Sequence, residues 1–154
     1  MTGFINYIDR PPDERLLRLR EIWEQLGDDG KLPAYATSIL TEFPLAAEHA
    51  SIIRLEREKG KIRYLVIKDG PAVVAASGLD LSGTYLDDPS DAPELAMILA
   101  GDYDGIVKSR APRLYAEEHH LDGRVRKTAG IQLPFAADGE TVDHIVEFVY
   151  PLDD

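Results

Sequence analysis

The residues best equipped for chemistry are His144, Tyr64 and Tyr115, together with the run Glu117-Glu118-His119-His120-Leu121-Asp122. His144 falls on the apolar side of an alternating segment, with Val142, Val146, Phe148 and Tyr150. It reads either as a satisfied core histidine or as part of a cavity lining with Tyr64 and Tyr115. In the second case the three side chains offer donors and an acceptor to a small polar ligand. A histidine in such a place can also report pH. As a general base it would need an acidic partner such as Asp102 to orient it and a tyrosine to polarise a carbonyl, and no His–Asp spacing singles out that dyad. The Glu117–Asp122 run, as a strand, puts Glu117 and His119 on one face and Glu118 and His120 on the other. Two ligands per face fall short of the three or four that a metal needs, so a solvated strand end is expected and no metal site.

Composition narrows the field further. The chain has 154 residues, enough for one domain with a real core. It has no cysteine, which removes disulfides, thiolate metal sites, cysteine nucleophiles and flavin-cysteinyl adducts. A net charge of −11 disfavours a phosphate-backbone partner. The best basic cluster, Arg124, Arg126 and Lys127 preceded by Arg110 and Arg113, reads as a charged strand edge that discourages pairing. No phosphate-cradling glycine motif and no nucleophile elbow occurs, so nucleic acid and nucleotide partners are not expected. No apolar run approaches the roughly 20 residues that a membrane span takes, and the N-terminus has no basic n-region. A cytoplasmic, non-membrane protein is the expectation.

The elements that must position these residues follow from periodicity. Pro11-Pro12-Asp13 suits a helix entrance, and Leu16, Leu19, Ile22, Trp23 and Leu26 then form an amphipathic stripe ended by Gly27 and Gly30. That stripe either covers the domain's own core or serves as a dimerisation helix. Leu32-Pro33 opens a second helical segment toward Phe43. Ser51–Arg57 and Lys61–Lys68 flank Glu58-Lys59-Gly60 as a hairpin. Short helices and turns fill 71–85, and Pro93–Lys108 reads as a helix weakened by Gly101 and Gly105. Three strands close the chain: Pro112–Leu121, Arg124–Phe135 and Thr141–Tyr150, with turns at Asp122-Gly123 and Asp138-Gly139. The sum is an α+β domain on an antiparallel sheet of five strands, one face packed under helices.

Trp23, Leu32-Pro33, Gly78-Leu79-Asp80-Leu81-Ser82-Gly83, Leu133-Pro134-Phe135 with Asp138-Gly139, and Val142-Asp143-His144-Ile145 carry a resemblance. The chain resembles a bacterial family of stand-alone PAS-like proteins with an N-terminal helical extension. It departs from the family's pattern at Ala34-Tyr35-Ala36, where an arginine-containing stretch is usual, and at Arg63-Tyr64, which stand in reverse order with the glycine delayed to Gly70. The resemblance implies an extension over 1–45 and a PAS-like sensor domain over 46–154, forming one structural unit. It implies a non-enzymatic sensory or regulatory domain that binds a small ligand or a signalling protein and acts through a homodimer. The helix over 93–108 has no histidine, so haem attachment there has no support and no particular cofactor is indicated. The rival is a small cone-shaped α+β isomerase or dehydratase with His144 as base. Read without the family, Asp80 between glycines is a turn builder.

Overall fold

The computed structural model describes residues 2–8, 14–42, 47–87, 93–121 and 124–152. Its strands are β1 (Thr2–Ile8), β2 (Ala50–Glu58), β3 (Lys61–Asp69), β4 (Thr84–Tyr85), β5 (Arg113–Leu121), β6 (Arg124–Phe135) and β7 (His144–Pro151). Its α-helices are α1 (Glu14–Leu26), α2 (Pro71–Ser77) and α3 (Pro93–Ser109). All strand pairs are antiparallel, in one sheet of order β1-β5-β6-β7-β2-β3-β4. The α+β class therefore holds, but the sheet is wider than five strands. β1 extends one edge against β5, and the two-residue β4 extends the other.

The central strand β7 explains how the core divides. Buried on both faces between β6 and β2, it reads His144-Ile145-Val146-Glu147-Phe148-Val149-Tyr150, nearly continuous in apolar residues. Val146, Phe148 and Tyr150 point to one face, where they pack with Ala129, Ile131, Leu133 and Phe135 of β6 under Leu16 and Leu19 of α1. Ile145 points to the other, packing with Ile53, Leu55, Tyr64 and Val66 under Tyr103 and Ile106 of α3. Helices thus cover both faces rather than one.

Of the two uses open to the α1 stripe, burial on its own sheet is the one observed: Leu16 and Leu19 are fully covered there. Leu17, which widened the stripe, is left 37% exposed. The Trp23 indole N–H donates to the Pro134 carbonyl at 2.7 Å. Trp23→Phe keeps most of the packing but orphans that carbonyl, so we expect a loss of about 1 kcal/mol in denaturant unfolding, with an unchanged m-value.

The segment after Leu32 departs from expectation. It is extended, because the Leu32 N–H donates to the Gly139 carbonyl and the Pro33 carbonyl accepts the Ala136 N–H, both at 2.9 Å. A distant turn has captured the backbone groups that a helix would use, and only the 3-10 segment Thr37–Glu42 follows. Where the turn motif was expected to be structural, Asp80 accepts the Ser82 N–H at 3.0 Å, with Gly78 and Gly83 both at φ 78°. Asp69 ties this turn to the sheet by accepting the Leu81 N–H at 3.0 Å. Arg63 completes the clamp, gripping the Asp87 carboxylate at 2.9 Å and lying 3.9 Å over the Tyr85 ring. Among the described residues, no helix is long and apolar enough to cross a membrane.

Candidate functional site

Directly opposed residues of antiparallel strands share a face. On the α3 side, that rule lines up Asp69, Ser51, Glu147, Gln132 and Arg113 as one polar row across β3, β2, β7, β6 and β5. Ser51, Gln132 and Glu147 are buried, and Gln132 has no exposed surface at all. Five polar residues in one row of a buried sheet face are costly unless each is paired.

Pairing is uneven along the row. The Ser51 hydroxyl donates to Asp69 Oδ1 at 2.7 Å. Glu147 accepts two phenols: Tyr103 of α3 donates to Oε1 at 2.8 Å, and Tyr115 of β5 donates to Oε2. Gln132 differs: neither its carbonyl nor its amino group has a hydrogen-bond partner among the described residues, and the hydroxyl of buried Thr128, four residues earlier on β6, has none either.

Two glycines make the arrangement sterically possible. Tyr115 is the direct partner of Gly130, and its phenol crosses over that glycine to reach Glu147 on the next strand. Any Cβ at 130 would fall inside the phenol. Gly105 of α3 does the same for Arg113, whose guanidinium rests where a Cβ would stand. The glycine that weakens α3 as a helix thus admits the arginine at the end of the row. At Gly101 no described atom outside the helix's own turns would meet a Cβ within 4 Å, and the structure gives no reason for a glycine there.

Burial dominates the electrostatics. It lifts the Glu147 carboxyl from 4.5 to about 7; the two phenols act against this, and Asp102 and Glu117 add repulsion. Burial, reinforced by the Glu147 charge, pushes the Tyr103 and Tyr115 hydroxyls well above their usual 10.0. Tyr64 is likewise raised by burial and by its bond to Asp104 of α3. An ultraviolet titration should therefore show none of these three phenols ionising near pH 10, only on alkaline unfolding. A native-state tyrosinate signal that Tyr103→Phe and Tyr115→Phe both reduce would contradict this.

The structure divides the three sequence-predicted ligand residues. Tyr64 and Tyr115 share the α3 face, connected through Tyr103, whose ring centroid lies 5.5 Å from that of Tyr64, and through Glu147. His144 lies on the opposite face, opposed to Phe135 of β6 and stacked on Tyr35 at 4.3 Å. Its Nδ1 is 2.7 Å from Asp143 Oδ1, so Asp143, not Asp102, orients it. Asp102 stands on α3, near Glu147. Glu147, Gln132, Tyr103 and Gly130 were not picked out from sequence. The signal for the first was a single carboxylate in an otherwise apolar strand.

The expected strand end at 117–122 holds Glu117 and Glu118 in β5; the side chains of His119 and His120, and residue Asp122, lie outside the described residues. So do the side chains of Arg124 and Arg126. Among the described residues, no group of three or more metal-ligating side chains converges. Comparison with protein-family models, curated proteins and solved structures returns no match for this chain.

Proposed function

We propose that this chain is a PAS-like sensory or regulatory domain of the cytoplasm that binds a small polar ligand between α3 and the sheet. The succession of hairpin β2–β3, a helical block and the meander β5–β6–β7 supports the PAS-like reading. The single observation that carries ligand binding is Gln132: a fully buried amide with both ends unpartnered among the described residues, between Arg113 and Glu147. An apolar residue there would be more stable, and stability given up at one buried position marks a functional site. Occupancy would favour one placement of α3, and a partner protein or a second copy of the chain would respond to that difference.

Native mass spectrometry of the freshly purified protein, beside the near-isosteric Gln132→Leu variant, is the test. Support is a reproducible extra mass on the wild type that the variant loses while gaining stability. A wild type without bound mass, and without a thermal shift in a small-molecule screen, overturns the reading. The same spectra report whether the protein is the homodimer that the PAS-like resemblance implies.

One observation favours a second reading, an enzyme with His144 as general base. Asp143 is itself fixed, its Oδ2 accepting the Ala137 N–H at 2.7 Å, and so holds the imidazole in one orientation. His144→Ala would abolish turnover in that case and leave a ligand held by Gln132 unaffected.

A further inference from the structure

Glu147 is the buried carboxylate of the row, and several of the elements around β7 bear on it. From α3 come Tyr103, its donor, and Asp102, which repels it. From β5 come Tyr115, its second donor, and Glu117, a second repelling carboxylate, with Arg113 at the end of the row. β6 contributes the neutral Gln132 and Thr128, β2 contributes Ser51, and beyond it Asp69 of β3 already holds the Ser51 hydroxyl. In the 3-10 turn Ala47–His49, His49 lies against the Val149 carbonyl at 3.0 Å and stacks on Tyr150. Helix α2 carries no titratable residue.

We propose that Glu147 and Gln132 form a proton-operated latch between α3 and the sheet, closed when Glu147 is protonated and loosened when it ionises. In the closed state a proton taken from solvent sits on a Glu147 oxygen. Its O–H donates to the carbonyl of Gln132, the direct cross-strand neighbour whose oxygen has no other donor among the described residues. Loss of that proton to solvent removes the Gln132 bond. It also sets a buried negative charge against Asp102, on the helix that Tyr103 ties down. Two phenol donors compensate the carboxylate only in part, so α3 yields and lets water reach it. Burial lifts the Glu147 carboxyl to about 7, so both states are populated near neutral pH. The latch goes beyond ligand binding and needs no ligand, so the protein freed of any retained small molecule tests it independently.

The test is a carbon-13 titration of the glutamate carboxyls in the full chain from pH 4.5 to 8.5, with hydrogen exchange of the α3 amides corrected for intrinsic rates. The Glu147 resonance should titrate near 7. Local opening of α3 should increase about tenfold per pH unit below that midpoint and level off above it, because the opened carboxyl ionises in the ordinary range. Glu147→Gln should hold α3 closed with no pH response. Tyr103→Phe, which leaves Glu147 in place, should move the midpoint up, and Asp102→Asn should move it down. A Glu147 midpoint below about 5.5 overturns the latch, as does α3 exchange that ignores the midpoint. The wild-type titration and Tyr103→Phe decide the matter even if Glu147→Gln does not fold.

Discussion

Gly130→Ala should destabilise the protein by about 3 kcal/mol, although strand propensity alone predicts a gain. Replacing glycine by alanine in a strand interior normally helps by roughly 0.5–1 kcal/mol, because less backbone entropy is lost on folding. Here the added methyl meets the Cζ, Oη and Cε1 atoms of Tyr115, a side chain itself only 4% exposed. The ring cannot slide aside without giving up its bond to Glu147 Oε2, so overpacking and a lost buried hydrogen bond arrive together. A double-mutant cycle separates this from any effect of alanine on the strand. In a Tyr115→Ala background the phenol is gone, and Gly130→Ala should be close to neutral or slightly stabilising. The two changes should therefore be strongly non-additive in denaturant unfolding. Additive losses would mean that Tyr115 and Gly130 do not depend on one another, and the geometry that delivers the phenol to Glu147 would have to be abandoned.

That same pair shows what the sequence could and could not reveal. Strand β6 begins at Arg124 and ends at Phe135 as its alternation indicated, and α1 and α3 follow their apolar stripes. These elements are legible because each is defined by its own residues. Strand β1 is not: Thr2–Ile8 becomes a strand by pairing with Arg113–Leu121, more than a hundred residues away in the chain. The segment after Leu32 looks helical in sequence and is extended for a related reason, since its backbone partners lie in the turn at 136–139.

The site was half legible. Tyr64 and Tyr115 were identified as donors and do share a face. His144 does not share it: alternation within β7 says only which residues lie together, not which side of the sheet they meet. It put His144 with Phe148 correctly, and that face turned out to be the one under α1. The residues left on the other parity, Ile145, Glu147 and Val149, contained the chemistry. Tyr103 was absorbed into an apolar stripe, because a tyrosine and a leucine at helical spacing look alike until the hydroxyl's acceptor is known.

Between pH 5 and pH 8 the wild type should lose about 3 kcal/mol of stability, a loss that Glu147→Gln should remove. The sign follows from where the carboxyl releases its proton. Unfolded, it ionises near 4.5; folded, burial holds the proton until about 7. Between these values the native state binds a proton that the unfolded chain has released, so every rise in pH favours unfolding. The stabilisation is complete below 4.5 and gone above 7, at about 1.4 kcal/mol per unit in between. Exposed carboxylates act in the opposite sense and in a different window. Asp87, held low by the Arg63 guanidinium, and Asp80 and Asp138, held low by turn hydrogen bonds, favour the folded state above their unfolded value of 3.8 and lose that effect only as pH falls further. From pH 5 upward, the difference between the wild-type and Glu147→Gln unfolding curves therefore isolates the buried group, since the four histidines are common to both. If the wild type and Glu147→Gln run parallel across this range, the carboxyl does not hold its proton in the folded state. Were the wild type instead to gain stability toward pH 8, the two phenols would have outweighed burial, and Glu147 would be a permanently ionised anchor for Tyr103 and Tyr115.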